Sequence, residues 1–204
     1  MSQFVDRPAE MTKLREALLP SHEPSGRQKI HMVRGLSGIG KTQLVVEFVT
    51  LHHLRFSAVF WLDGRREDTL KRSIAKCAGR IPQGQLSEAS RSYATDSGAD
   101  ANAVVRDVMG WLARPDNRAW LLVFDNIDRE YSTQGGDPDA YDVKRYLSGA
   151  AHGSVLITTR LAKLEQLDKS PQHLGKVNDE QARAILKTWY KRANGKVALV
   201  RSSK

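Results

Sequence analysis

Apolar residues fall along this chain with two different spacings, and the switches between them mark out its elements. After Phe4-Val5-Asp6-Arg7-Pro8, the residues Met11, Leu14 and Leu18 recur at helical spacing, and Pro8 suits a first helical turn. Leu19-Pro20 and the polar run from Ser21 to Arg27 end that helix. Lys29–Val33 reads as a short strand, followed by a glycine-rich turn and a helix over Lys41–Leu51 with Leu44, Val45, Phe48 and Val49 as its apolar stripe. Ala58–Leu62, Trp120–Phe124 and Val155–Thr158 are unbroken apolar runs or nearly so, as expected of strands covered on both faces in a parallel sheet.

Helices are expected at Asp68–Gly79, at Ala101–Ala113 with Val104, Val105, Val108 and Leu112 inward, and in short form at Asp139–Leu147. The Ser/Gly/Gln-rich stretch from Ile81 to Ala99 is long for a structureless loop, so either partial disorder or a short extra helix is expected there. Ala182, Ile185, Leu186 and Trp189 define a last helix. The alternation of strand and helix predicts an α/β fold, a parallel sheet with right-handed crossovers flanked by helices. Residues 1–26 form an N-terminal segment and linker, 27–176 the main domain, and 177–204 the start of a helical segment.

The turn after the first strand carries the chemistry. Gly35-Leu36-Ser37-Gly38-Ile39-Gly40-Lys41-Thr42 satisfies the phosphate-loop pattern G-x-x-x-x-G-K-[ST]. Glycine permits positive φ and close approach of backbone to phosphate, and the row of amides ahead of a helix N-terminus attracts a polyanion. Contacts to a nucleotide are expected from Gly35, Ser37, Gly38, Ile39, Gly40, Lys41, Thr42 and Gln43. Lys41 would bridge the β- and γ-phosphates and Thr42 would ligate magnesium.

Such a loop needs a carboxylate at the end of a neighbouring apolar strand, and Trp120-Leu121-Leu122-Val123-Phe124-Asp125 supplies it. Asp125 is the expected magnesium-side and catalytic acid. Where many ATPases carry a second acid to activate water, this chain has Asn126, which cannot act as a base. Asp128 is the alternative, and slow hydrolysis is expected. Gly153–Arg160 is a buried strand ending in Thr158-Thr159-Arg160, and Arg160 is placed to sense a γ-phosphate.

The order of these pieces resembles the NB-ARC family of STAND nucleotide switches. Gly35–Thr42 looks like its Walker A, Leu121–Asp128 its Walker B and Gly153–Arg160 its sensor segment. Phe60-Trp61-Leu62-Asp63-Gly64 and Trp111-Leu112-Ala113 look like fungal NOD-like receptors. The resemblance implies a sensor strand lying between the P-loop and Walker B strands, and ADP bound at rest. Exchange for ATP would then permit oligomerisation, with copies of itself or with a full-length receptor as partners. It implies Val5 and Arg7 on the adenine side of the pocket, although Asp6 departs from the usual glycine. Family members continue into a helical domain and a winged helix. A chain stopping at Lys204 is expected to hold only the first helix of that continuation.

Composition narrows the picture further. The single cysteine, Cys77, excludes an internal disulfide framework, fits a reducing cytosol and reads as a buried inert thiol. No apolar run is long enough to span a bilayer and no secretory signal is visible, so a cytoplasmic location is expected. The formal charge of +9 would suit a polyanion, but the basic residues are dispersed, which argues against specific nucleic-acid binding. Adenine over guanine rests on the family resemblance and on the absence of an Asn-Lys-x-Asp motif. Two other readings stay open: a P-loop ATPase stimulated by nucleic acid, and an interaction module with a vestigial nucleotide site.

Overall fold

The computed structural model describes residues 7–20, 26–94, 100–177, 179, 181–183 and 186. Five strands, β1 (Lys29–Arg34), β2 (Ala58–Asp63), β3 (Trp120–Asp125), β4 (Ser154–Thr159) and β5 (Gln172–His173), make one sheet in the order β2-β3-β4-β1-β5. Every recorded pairing is parallel. The β4 strand carrying the sensor segment therefore lies between β1 and β3, as the family resemblance implied.

Both faces of the sheet are covered, which explains why its central strands read as continuous apolar runs. On one face, α1 (Pro8–Leu18) and α2 (Lys41–His52) bury Leu14, Leu18, Leu44, Val45 and Phe48 against Val33, Leu121, Val123 and Leu156. On the other, α3 (Glu67–Cys77) and α5 (Ala101–Leu112) bury Leu70, Ile74, Val104, Val108 and Leu112 against Met32, Trp120, Leu122, Phe124 and Ile157. Side chains of successive β3 residues thus enter opposite layers, as the pleat requires. The end of α1 is tied to the sheet by Ser154 Oγ donating to Leu18 O at 2.8 Å and Lys29 Nζ donating to Leu19 O at 2.6 Å.

One expectation is met, one changes, and one element was unforeseen. The Ile81–Ala99 stretch contains a short helix, α4 (Glu88–Arg91), whose N-cap Ser87 accepts from the Ser90 amide, followed by a 3-10 turn over Ser92–Ala94. The helix expected at Asp139–Leu147 shrinks to a 3-10 turn, Val143–Tyr146. Side chains hold the preceding backbone out of a helix there, with a turn at Pro138–Asp139: Asp137 accepts from the Asp139 amide, Asp142 from the Lys144 amide, and the Tyr141 hydroxyl donates to Gly64 O. The two-residue strand β5 was not anticipated. It is positioned by a buried polar chain in which His31 Nδ1 lies 3.0 Å from Asp168 Oδ2 and His31 Nε2 lies 3.2 Å from Gln172 Oε1. Ile185 and Trp189 of the expected last helix lie outside the described residues.

Cys77 sits at the end of α3 in the larger apolar layer, with its thiol donating to Ser73 O at 3.1 Å. Burial pushes that thiol up to about 11, and the thiolate is the reactive form. Native protein at pH 8 is expected to leave a disulfide-exchange reagent unreacted over minutes, with one thiol per chain appearing on addition of denaturant. Prompt reaction of the native protein would contradict this burial.

Candidate functional site

The carboxyl ends of β1, β4 and β3 lie side by side, and the loops leaving them hold nearly every residue singled out in the sequence. Position 34 of β1 is opposite Thr159 of β4, and Phe124 of β3 is opposite Ile157 of β4, so the next pair, Asp125 and Thr158, meets at the strand ends. Ligands of open α/β sheets bind outside these ends.

The loop from Gly35 runs straight off β1 into α2. Gly40 is the N-cap of α2 with φ of 99°, in the left-handed region, so its amide and the first helix amides turn toward one concavity. At Gly35 the constraint is space: a Cβ would lie 2.8 Å from Leu174 O and 3.0 Å from Ile39 Cγ2. Ser37 and Gly38 form the exposed tip, Ile39 is half-buried, and Thr42 and Gln43 are exposed on the first turn of α2. Lys41 is buried, and its ammonium donates to Gly35 O at 2.9 Å and Leu36 O at 3.1 Å. Burial pushes this lysine below its ordinary value; Arg160 adds to the shift, while Asp128 and Asp125 oppose it.

Asp125 closes the site from β3. It is only 6% exposed, and burying a carboxylate is costly unless its oxygens accept hydrogen bonds. Thr42 Oγ1 donates to its Oδ1 at 2.9 Å, Thr158 Oγ1 donates to the same oxygen at 2.6 Å, and Asn126 Nδ2 donates to Oδ2 at 3.1 Å. The Asn126 amide in turn donates to Thr158 Oγ1 at 2.9 Å. Asn126 has φ of 67°, the sole positive value at a non-glycine among the described residues. Asparagine tolerates that conformation far better than glutamate, so the backbone itself favours the residue that lacks a base.

Asp128 and Arg160 meet across the top of β4. Arg160 N donates to Asp128 Oδ1 at 2.7 Å, and Arg160 Nε lies 2.9 Å from Asp128 Oδ2. The proposed base and the proposed sensor are thus each other's partners. Arg7 is brought to the loop as a strut: its guanidinium donates to Ile39 O and to Gly175 O, each at 3.2 Å. Val5 lies outside the described residues.

Sequence reasoning missed two participants. Thr158 shares the Asp125 carboxylate; the signal was a hydroxyl at the end of an otherwise aliphatic strand. Asp63 stands opposite Asp125 in the β2–β3 register. Its carboxylate accepts from Arg65 Nε at 2.9 Å and Nη2 at 2.6 Å, which holds it below the usual carboxylate range and keeps its charge occupied.

No family model matches the chain, and none of the curated proteins matches it. Solved structures do. The Orc1 protein of Aeropyrum pernix, solved in complex with DNA, superposes with a TM-score of 0.58 at 19% identity over 91% of this chain and 49% of its own. Cdc6p from Pyrobaculum aerophilum gives 0.55 at 15% identity, over 90% of this chain and 50% of its own. The chain spans about half the length of each. Together with the sheet order and the loop geometry, these similarities make the fold that of a P-loop NTPase. No helix among the described residues is long and apolar enough to cross a membrane.

Replacing Asp125 by alanine leaves the Thr42 hydroxyl without its acceptor and removes the principal acceptor of buried Thr158. In nucleotide-free protein this variant is expected to lose about 1–3 kcal/mol in urea unfolding, the usual cost of orphaning a buried polar group. An unchanged midpoint and slope would mean that the network contributes nothing.

Proposed function

We propose that this chain binds ATP and ADP with magnesium and works as a slow nucleotide switch of NB-ARC type. The observation that carries the reading is the convergence of Lys41, Thr42 and Asp125 at the end of the sheet, beneath a loop turned for a polyanion. Thr42 Oγ1 and Asp125 Oδ1, 2.9 Å apart, are hard oxygen donors. Magnesium commonly takes only one or two such protein ligands, leaving the rest to phosphate oxygens and water, so these residues fit it. When bound, the ion neutralises phosphate charge. The chain's own share is to hold the phosphates on loop amides and Lys41, and to orient Thr42 through Asp125.

Asn126 supports slow turnover, because a carboxamide takes no proton from water and its Nδ2 donates to Asp125. Asp128, the remaining candidate base, has both oxygens engaged by Arg160. Arg160 as reporter of the γ-phosphate, and oligomerisation with like copies or a full-length receptor in the ATP state, complete the switch reading; they draw on the resemblance in motif order.

Calorimetric titration with ADP and with ATP, each with magnesium, tests the binding. Lys41→Ala is expected to weaken both nucleotides by roughly tenfold or more, since the charge-assisted contacts to phosphate are lost. Equal affinity in the variant and the unaltered protein would remove the phosphate-loop role.

A second reading, a nucleic-acid-stimulated ATPase, draws on the Orc1 protein's complex with DNA and on the net charge of +9. Against it, Arg65, Arg66, Arg129, Arg160 and Lys163 near the strand ends are all paired with carboxylates. Hydrolysis is expected below ~1 per second, the low end of the ordinary range, and unchanged by added DNA. Stimulation by DNA that fades with added salt would favour the second reading instead.

A further inference from the structure

The pair formed by Asp128 and Arg160 is built asymmetrically. Asp128 receives two donors from one residue: the Arg160 backbone amide at 2.7 Å on Oδ1, and the Arg160 Nε at 2.9 Å on Oδ2. The first bond joins the carboxylate to the backbone just past β4, so Asp128 keeps its place when the guanidinium leaves. Its side chain is 21% exposed, whereas that of Arg160 is 51% exposed. Arg160 makes no other ion pair among the described residues, and the Thr159 hydroxyl beside it is committed to Ile127 O at 2.5 Å. The guanidinium is therefore the member free to swing, held by one carboxylate contact.

Both members act on the same cation. Asp128 and Arg160 push Lys41 in opposite directions, so each offsets part of the other's effect at the loop while the pair is closed. Opening it leaves a free guanidinium and a fixed negative charge at the same place. A γ-phosphate offers a guanidinium more negative charge than a single carboxylate does, and in a matching planar geometry. A diphosphate ends one phosphate earlier and offers no such competitor.

We propose that Asp128 is a specificity-determining residue. It latches Arg160 away from the phosphates and thereby sets how strongly the site prefers a nucleoside triphosphate over a diphosphate. The latch rests on the phosphate-binding reading above and deepens it. A ligand shifts such a two-position equilibrium only by its difference in affinity for the two positions. The triphosphate must break the Asp128 contact before gaining Arg160, and ADP binds with the latch closed. Asp128 thus subtracts from ATP affinity alone.

Asp128→Asn tests this, because the amide oxygen still accepts from the Arg160 backbone while the charge that holds the guanidinium is gone. The variants Asp128→Asn and Arg160→Ala, their combination and the unaltered protein are titrated with ADP and with the β,γ-imido analogue of ATP, each with magnesium. Asp128→Asn is expected to bind the triphosphate analogue roughly three- to fivefold more tightly, the span set by a half-exposed ion pair, with ADP changed by less than about twofold. In the Arg160→Ala background the same change is expected to do nothing. The latch is overturned by an unchanged ratio of the two affinities, by a gain that survives without Arg160, or by loss of ADP binding in Asp128→Asn. Unaltered protein that binds neither nucleotide removes the phosphate-binding reading and the latch together. Normal binding with an unmoved ratio removes the latch alone.

Discussion

A carboxylate buried at the end of a central strand is the point on which this molecule's site is assembled. Asp125 is almost wholly withdrawn from water, and three donors from two strand ends and one helix converge on it: Thr42, Thr158 and Asn126. Each donor satisfies part of the solvation that the carboxylate has lost. The same bonds fix the first turn of α2 against β3 and β4, so the phosphate loop cannot drift from the sheet without exposing an unsatisfied charge. The parallel registers that bring Asp125 level with Thr158 are in turn held by the two apolar layers. Core packing thus acts on chemistry through one acid.

The distribution of charge around that acid separates this site from one arranged for fast hydrolysis. A catalytic base must be free to accept a proton from water. Asn126 has no such capacity, and its left-handed backbone gives a local reason why a longer acid is not found there. Asp128 has the right chemistry, yet it spends both oxygens on Arg160. On the proposed reading, what is left is an arrangement that would hold phosphates and register their number, with little provision for consuming them.

Much of this was legible in the chain because it is written locally. The phosphate loop needs glycines, a lysine and a hydroxyl within eight consecutive positions, and each strand needs only a short apolar run. The sheet order was not local; it came from likeness in the order of motifs. Other features were invisible because their partners are far apart in sequence. Arg7 reaches Ile39 and Gly175, and His31 meets Asp168 and Gln172, across distances that no periodicity encodes. The helix expected at 139–147 failed for a related reason. Tyr141 and Asp137 find partners outside the helix, and those bonds outcompete intrinsic helical preference.

The Arg7 strut adds a consequence for how the loop behaves. Its guanidinium donates to the carbonyl of Ile39, inside the phosphate loop, and to that of Gly175, in the segment after β5. Lys41 holds the carbonyls of Gly35 and Leu36 from the opposite end. The carbonyls of Gly35, Leu36 and Ile39 thus hold the loop backbone in place before an anion arrives, and the reorganisation left is the release of Lys41 from Gly35 O and Leu36 O. The strut also places the start of α1 and the end of the sheet under one side chain, so displacement of either is felt at the loop. If the site works as the proposed nucleotide switch, such a tie would give it a direct mechanical connection to the segment after β5 and to the start of α1.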